Sequence, residues 1–199
     1  VALGAPAAAQ LQFAELGKRH LPGSGMREFG YGDVDGDGDV DLVAVNAVNG
    51  QCQLYLNDGT GVFADATSTR MPATQGASCV AVGDVDGDGD LDLVVGNWWQ
   101  QGHLYLNDGT GTFTDVTPTH MPPASDATLS LALGDVDGDG DLDLVIGNYS
   151  SQNRLYLNNG TGTFTDVTPT HMPTDDDGTR SLRLGDVDGD GDLDLVIGN

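Results

Sequence analysis

Gly32-Asp-Val-Asp-Gly-Asp-Gly-Asp-Val-Asp-Leu-Val43 returns almost letter for letter as Gly83–Val94, Gly134–Val145 and Gly185–Val196, a period of 51 residues. Within it only Val40 varies, becoming Leu91, Leu142 and Leu193. A fixed period means one structural unit built several times, so the 199 residues read as a single array. From Asp33 to Asp41 every second residue is an aspartate, separated by valine or glycine. Such a stretch crowds carboxylates into one turn, and the Leu-Val that follows it opens an apolar strand.

The third copy shows what surrounds the acidic stretch. Leu129–Gly134 alternates and reads as a strand, and Asp135–Asp143 is the loop. Leu142–Asn148 is β-branched and apolar, a buried strand, and Arg154–Asn158 is a third. Asn158-Asn-Gly-Thr-Gly162 is a tight turn into a fourth alternating strand, Thr163–Thr168. The prolines of Thr168-Pro-Thr-His-Met-Pro173 then break the pairing. Four short antiparallel strands per period define a propeller blade. The expected fold is therefore all-β, a β-propeller of four-stranded antiparallel blades with about four in this chain. Blades are expected at 26–74, 75–127 and 128–178, with the first half of another at 179–199 and closing strands plus a connector at 1–25. In that last segment Leu11–Leu16 matches a fourth strand, with Phe13 in the place of Phe63, Phe113 and Phe164. Three arrangements follow: residues 1–16 close a four-bladed ring by completing the last blade, the open blade joins another molecule, or further blades belong to a longer chain, and the end in mid-blade favours the last two.

Thirty-one acids face seven bases, a formal charge of −24. That balance argues against nucleic acid and against anionic membrane surfaces as partners. No stretch is long and apolar enough to insert in a membrane. Val1–Gln10 reads as the start of a processed, exported protein, so the expected location is extracellular or at the cell surface.

In the first loop Asp33, Asp35 and Asp37 hold positions 1, 3 and 5, and Gly38 permits the sharp turn. Asp39 would offer its backbone carbonyl, and Asp41 both carboxylate oxygens. The same roles fall to Asp84, Asp86, Asp88, Asp90 and Asp92; to Asp135, Asp137, Asp139, Asp141 and Asp143; and to Asp186, Asp188, Asp190, Asp192 and Asp194. A shell of six to eight oxygens is what Ca²⁺ takes, whereas Mg²⁺ resists giving up its waters to an all-protein cage. An EF-hand would need a bidentate Glu at position 12, where this chain has Ala44, Val95, Ile146 and Ile197. Without a cation, two carboxylates about 4 Å apart repel by roughly 4 kcal/mol at an effective dielectric near 20. About four Ca²⁺ ions are expected, at affinities of about 10⁻⁴ to 10⁻³ M typical of extracellular modules, as structural pins and not sensors.

The aspartate loop, the Asp-Leu-Val-Val-Gly-Asn strand after it and the Leu-Tyr-Leu-Asn-Asp-Gly-Thr-Gly-x-Phe hairpin resemble the FG-GAP/VCBS repeats of integrin-α-like β-propellers. The resemblance runs from Leu11 onward. It implies that the strand before each loop is innermost and that the loop joins a blade's first and second strands. Propellers of this family are commonly seven-bladed, more than this chain holds.

The copies differ most between their second and third strands: Ala47–Gln53, Trp98–His103 and Tyr149–Arg154. On the blade layout this segment lies opposite the loops. Trp98, Trp99, Gln100 and Gln101, with Tyr149, suit a sugar ring or a protein partner there. Cys52 and Cys79 begin strands on that same face in neighbouring blades, which makes a disulfide an expectation. Asn148 and Asn159 open glycosylation sequons. His120 and His171 recur in the connectors, where Arg70 replaces them in the first copy, and no nucleophile–base pair accompanies them. The expected function is thus a non-catalytic structural or adhesive module that associates with itself or with another extracellular protein. The alternative is a lectin-like propeller using the Trp98–Trp99 face.

Overall fold

The computed structural model describes residues 25–174, 176 and 178–199. The strand expected within residues 1–25 lies outside this range, apart from Gly25. The first blade is β1 (Met26–Gly32), β2 (Asp41–Asn46), β3 (Gln51–Asn57) and β4 (Phe63–Asp65), antiparallel and in sheet order. The second is β5 (Ala77–Gly83), β6 (Asp92–Gln100), β7 (His103–Asn107) and β8 (Phe113–Asp115). The third is β9 (Asp126–Gly134), β10 (Asp143–Asn148), β11 (Arg154–Asn158) and β12 (Phe164–Asp166). β13 (Ser181–Gly185) and β14 (Asp194–Gly198) then pair with each other. Each acidic loop closes on the same Gly–Asp pair, Gly32–Asp41, Gly83–Asp92, Gly134–Asp143 and Gly185–Asp194. First strands of successive blades pack side by side, β1 on β5, β5 on β9 and β9 on β13. The all-β propeller is therefore borne out, with the strand before each loop innermost.

The apolar core lies between blades. One layer joins Val43, Val45 and Leu54 of the first blade to Val80, Leu93 and Val95 of the second. The next joins Val94 and Leu104 to Leu144, Ile146 and Tyr156. Leu93, Val94 and Val95 divide between these layers because consecutive strand residues point to opposite faces.

That alternation also overturns the expected disulfide. Cys52 and Cys79 are both free and buried. Cys52 fills the layer between blades one and two, while Cys79 fills that between blades two and three. The sheet of the second blade stands between the sulfurs. Burial pushes both thiols up to about 12.

The connectors close as single helical turns, α1 (Thr67–Arg70), α2 (Thr117–His120) and α3 (Thr168–His171). In each, an aspartate two residues earlier (Asp65, Asp115, Asp166) accepts the N–H of the threonine. The threonine Oγ1 in turn accepts the N–H of Leu54, Leu104 or Leu155. The turn is thereby pinned to its blade's third strand.

Candidate functional site

The first aspartate of each loop organises the turn around itself. Asp33 Oδ1 accepts Gly36 N and Asp37 N, and its Oδ2 accepts Gly38 N. Asp84, Asp135 and Asp186 repeat the contacts to the two glycines at 2.6–3.1 Å. Both glycines take positive φ, 74° at Gly36 and 93° at Gly38, a backbone conformation that side chains resist.

The ninth position is the buried anchor. Asp41, Asp92 and Asp143 are at most 1% exposed. Oδ2 accepts the N–H of Val34, Val85 or Val136, and Oδ1 accepts that of Asn57, Asn107 or Asn158 at the end of the third strand. Asp194 makes the loop contact through Val187 N. At the seventh position Asp39, Asp90 and Asp141 are half-buried and stay outside the carboxylate groups that converge in the loops. They lie against Gly59, Gly109 and Gly160, where an added Cβ would meet them at 2.5–2.6 Å.

Carboxylate oxygens converge in all four loops, within 4.8 Å of one another. The groups are Asp33, Asp35 and Asp37; Asp84, Asp86 and Asp92; Asp135, Asp137 and Asp143; and Asp186, Asp188 and Asp194. Each could hold a metal ion. Burial raises Asp92 to about 6, against the amides of Asn107 and Val85 that lower it, and Asp86 and Asp88 add repulsion. Asp41 and Asp143 are raised for the same reasons. Asp35 Oδ1 is buried without a hydrogen-bond partner. Oxygen-only donors, crowded and partly desolvated, fit a hard cation, and an orphaned carboxylate oxygen is an atom such an ion would satisfy.

Sequence reasoning missed a clamp between blades. Asn107 Nδ2 donates to Leu91 O of its own loop and, at 2.8 Å, to Val34 O of the preceding one. Asn158 repeats this on Leu142 O and Val85 O. The signal was the asparagine that ends every Leu-Tyr-Leu-Asn. Arg70, in the connector of the first blade, also donates to Thr110 O in the hairpin of the second.

On the opposite face, the expected loop at Trp98–Gln100 is strand. Trp98 pairs with Ala127 and Gln100 with Asp126, joining blades two and three, and Trp99 bulges between them. Among the described residues Trp99 is the non-glycine with positive φ, 58°. Trp98, Trp99, Gln100 and Tyr149 are exposed, and Gln101 is half-buried, its carbonyl accepting Asn97 Nδ2. Trp98 meets Tyr149 at 5.7 Å and Trp99 edge-on at 6.4 Å. The Asn148 sequon is overturned, because that side chain is fully buried and donates to Gln152 O. Asn159 lies exposed in the hairpin turn, its Oδ1 accepting Thr161 N.

The model of the FG-GAP-like repeat family matches residues 33–95, 84–146 and 135–197. The chain thus belongs to that family, and its fold is that of a propeller built from such repeats. Among solved structures, it is similar to an Agrocybe aegerita lectin described for specific recognition of non-reducing terminal N-acetylglucosamine. That match has 21% identity and a TM-score of 0.50, over 84% of this chain and 45% of the lectin. It is likewise similar to BBS1N, solved in complex with ARL6DN, at 12% identity and a TM-score of 0.50, over 79% of this chain and 47% of that one. The chain spans about half the length of these structures. A comparison with curated proteins gave no match. Among the described residues no helix is long and apolar enough to cross a membrane.

Proposed function

We propose that this chain is a calcium-stabilised, non-catalytic propeller module that acts outside the cell in a structural or adhesive role. The convergence of three carboxylates in each loop, with Asp35 Oδ1 buried and unpartnered, carries the calcium reading. Calcium bound there would neutralise carboxylates that otherwise repel, and would tie the start of a blade's second strand to the loop. Because the unfolded chain offers no such site, calcium would act as folding free energy. For the module as a partner in assembly, the exposed Val196 and Ile197 of β14 are apolar side chains on which another copy or another extracellular protein could pack. Thermal melts in millimolar calcium and in excess chelator test the first part, and light scattering in the same buffers tests the second. A higher melting temperature and larger species in calcium support the reading; melts that ignore calcium would sink it.

A second reading is favoured by one observation, the exposed aromatic cluster built around a strained Trp99. Strain of this kind persists where function needs the geometry, and aromatic faces suit sugar rings. The likeness to a glycan-recognising lectin accords with it at the level of fold. Glycan-array binding that disappears in Trp98→Ala would support this reading; an array without signal would remove it.

A further inference from the structure

At the end of the inner strands opposite the acidic loops lies an open cavity of about 530 Å³. Its wall draws on two sets of equivalent repeat positions. Arg27, Ser78, Leu129 and Arg180 stand 51 residues apart near the starts of the first strands. Ala47, Trp98 and Tyr149, also 51 apart, stand at or just past the ends of the second strands. At one backbone place the fold accepts arginine, serine and leucine, and at the other alanine, tryptophan and tyrosine. Ser78 is buried and its hydroxyl is bonded to Gly96 O and Thr128 O, but Arg27, Trp98, Tyr149 and Arg180 are exposed, and the surface these four make is free to serve a ligand.

The charge of this surface runs against the rest of the chain. With 31 acids and seven bases overall, two arginines line this wall and, among the described residues, no carboxylate does. Glu28, whose carboxyl feels Arg183 and Arg27, belongs to a separate hollow further along the inner strands. Arg154 shows how the fold disposes of a cation it needs only for structure: it is paired to Asp126 at 2.6 Å and to Asp166 at 3.2 Å. Arg27 and Arg180 form no ion pair among the described residues. The Arg180 guanidinium lies 5.5 Å over the Tyr149 ring, which itself packs on Trp98 at 5.7 Å. Backbone bonds from Arg180 N to Gly198 O and from Thr179 N to Asn148 O hold the segment in place.

We propose that this cavity binds a saccharide carrying a carboxylate, such as a uronic-acid unit. The indole of Trp98 would cover the apolar face of the ring, and the guanidinium forks of Arg27 and Arg180 would take the carboxylate. The proposal rests on the glycan reading above and adds the charge that reading leaves open.

The test is calorimetric titration, in constant calcium, with a uronate oligosaccharide and with its carboxyl-reduced neutral counterpart. The uronate form should bind about tenfold tighter or more, the range expected of charge-assisted hydrogen bonds. Arg27→Gln with Arg180→Gln should abolish that preference while weaker binding of the neutral sugar stays. Trp98→Ala should weaken both. Both arginines are exposed, so melts of the variants should match the parent. Equal binding of the two sugars would overturn the charge inference and leave the glycan reading standing. Binding of neither would overturn both, and a uronate preference that survives loss of the arginines would overturn the assignment to this cavity.

Discussion

Asp35 is the residue at which metal binding and fold separate. Its neighbours Asp33 and Asp41 hold the loop together through backbone amides, so replacing them removes the turn along with the ligand. Asp35 Oδ1 has no partner to lose. Asp35→Asn should therefore leave the calcium-free melting temperature unchanged or slightly raised, since one repelling charge is gone. The same variant should lower by one the number of calcium ions bound in a titration of the four clusters. An unchanged stoichiometry would remove the first loop from the set of sites. The two thiols give a second residue-scale prediction. Folded, they ionise only near 12, whereas their ordinary value is 9.0. Burial thus favours the neutral thiol, and the sign follows: stability is full below pH 9 and falls as pH climbs from 9 toward 12, where only the unfolded chain ionises. At pH 8 in calcium, a thiol reagent should label neither cysteine; rapid labelling would mean that the layers between blades open readily.

At the scale of elements, each one-turn helix is fastened to its blade's third strand by one threonine hydroxyl and one backbone bond from the residue before it. Thr117 Oγ1 accepts Leu104 N at 2.9 Å inside the second blade, where both residues are buried. Thr117→Val keeps the shape and leaves that N–H unpaired, which should cost about 1–3 kcal/mol in urea denaturation. A cost near zero would mean that the turn is held by its Asp115 cap and the Val116 N–Leu104 O bond. These turns also mark where the sequence stopped being legible. Strands could be read because alternation and β-branching are local, and acidic loops because ligand spacing is local. A one-turn helix was hidden in Thr-Pro-Thr-His because its anchor is a strand thirteen residues away. The pairing of Trp98 and Gln100 with β9 was hidden likewise, since an extended polar-aromatic segment looks the same in a loop as on a sheet edge. Cys52 and Cys79 were misjudged because both begin strands on one face, yet their side chains lie on opposite sides of the second blade's sheet.

On the scale of the whole molecule, the loop of one blade is finished by the hairpin of the next. Asn107 Nδ2 reaches Val34 O, and an added Cβ at Gly111 would lie 3.1 Å from Asp35, so the second blade helps build the first cluster. Whatever binds that cluster must then favour the docked arrangement of the blades, and docking must favour binding, by the same free energy. Asn107→Ala leaves the carbonyls of Val34 and Leu91 without this donor, which should cost about 1–3 kcal/mol. It should also weaken calcium at the first loop, although that loop belongs to another blade. Asn57 is the internal control, because among the described residues its Nδ2 is bonded only to Val40 O of its own loop. Asn57→Ala should lower stability less and leave the other loops' affinities alone. Combined with Asp35→Asn, the Asn107→Ala change should be non-additive in calcium-dependent stability, as expected of groups sharing one network. If the two asparagine variants behave alike and the double variant is additive, the blades load their ions independently. If they differ as argued, the array folds as a chain of clamped neighbours, in which each ion stabilises an interface between blades as well as a turn.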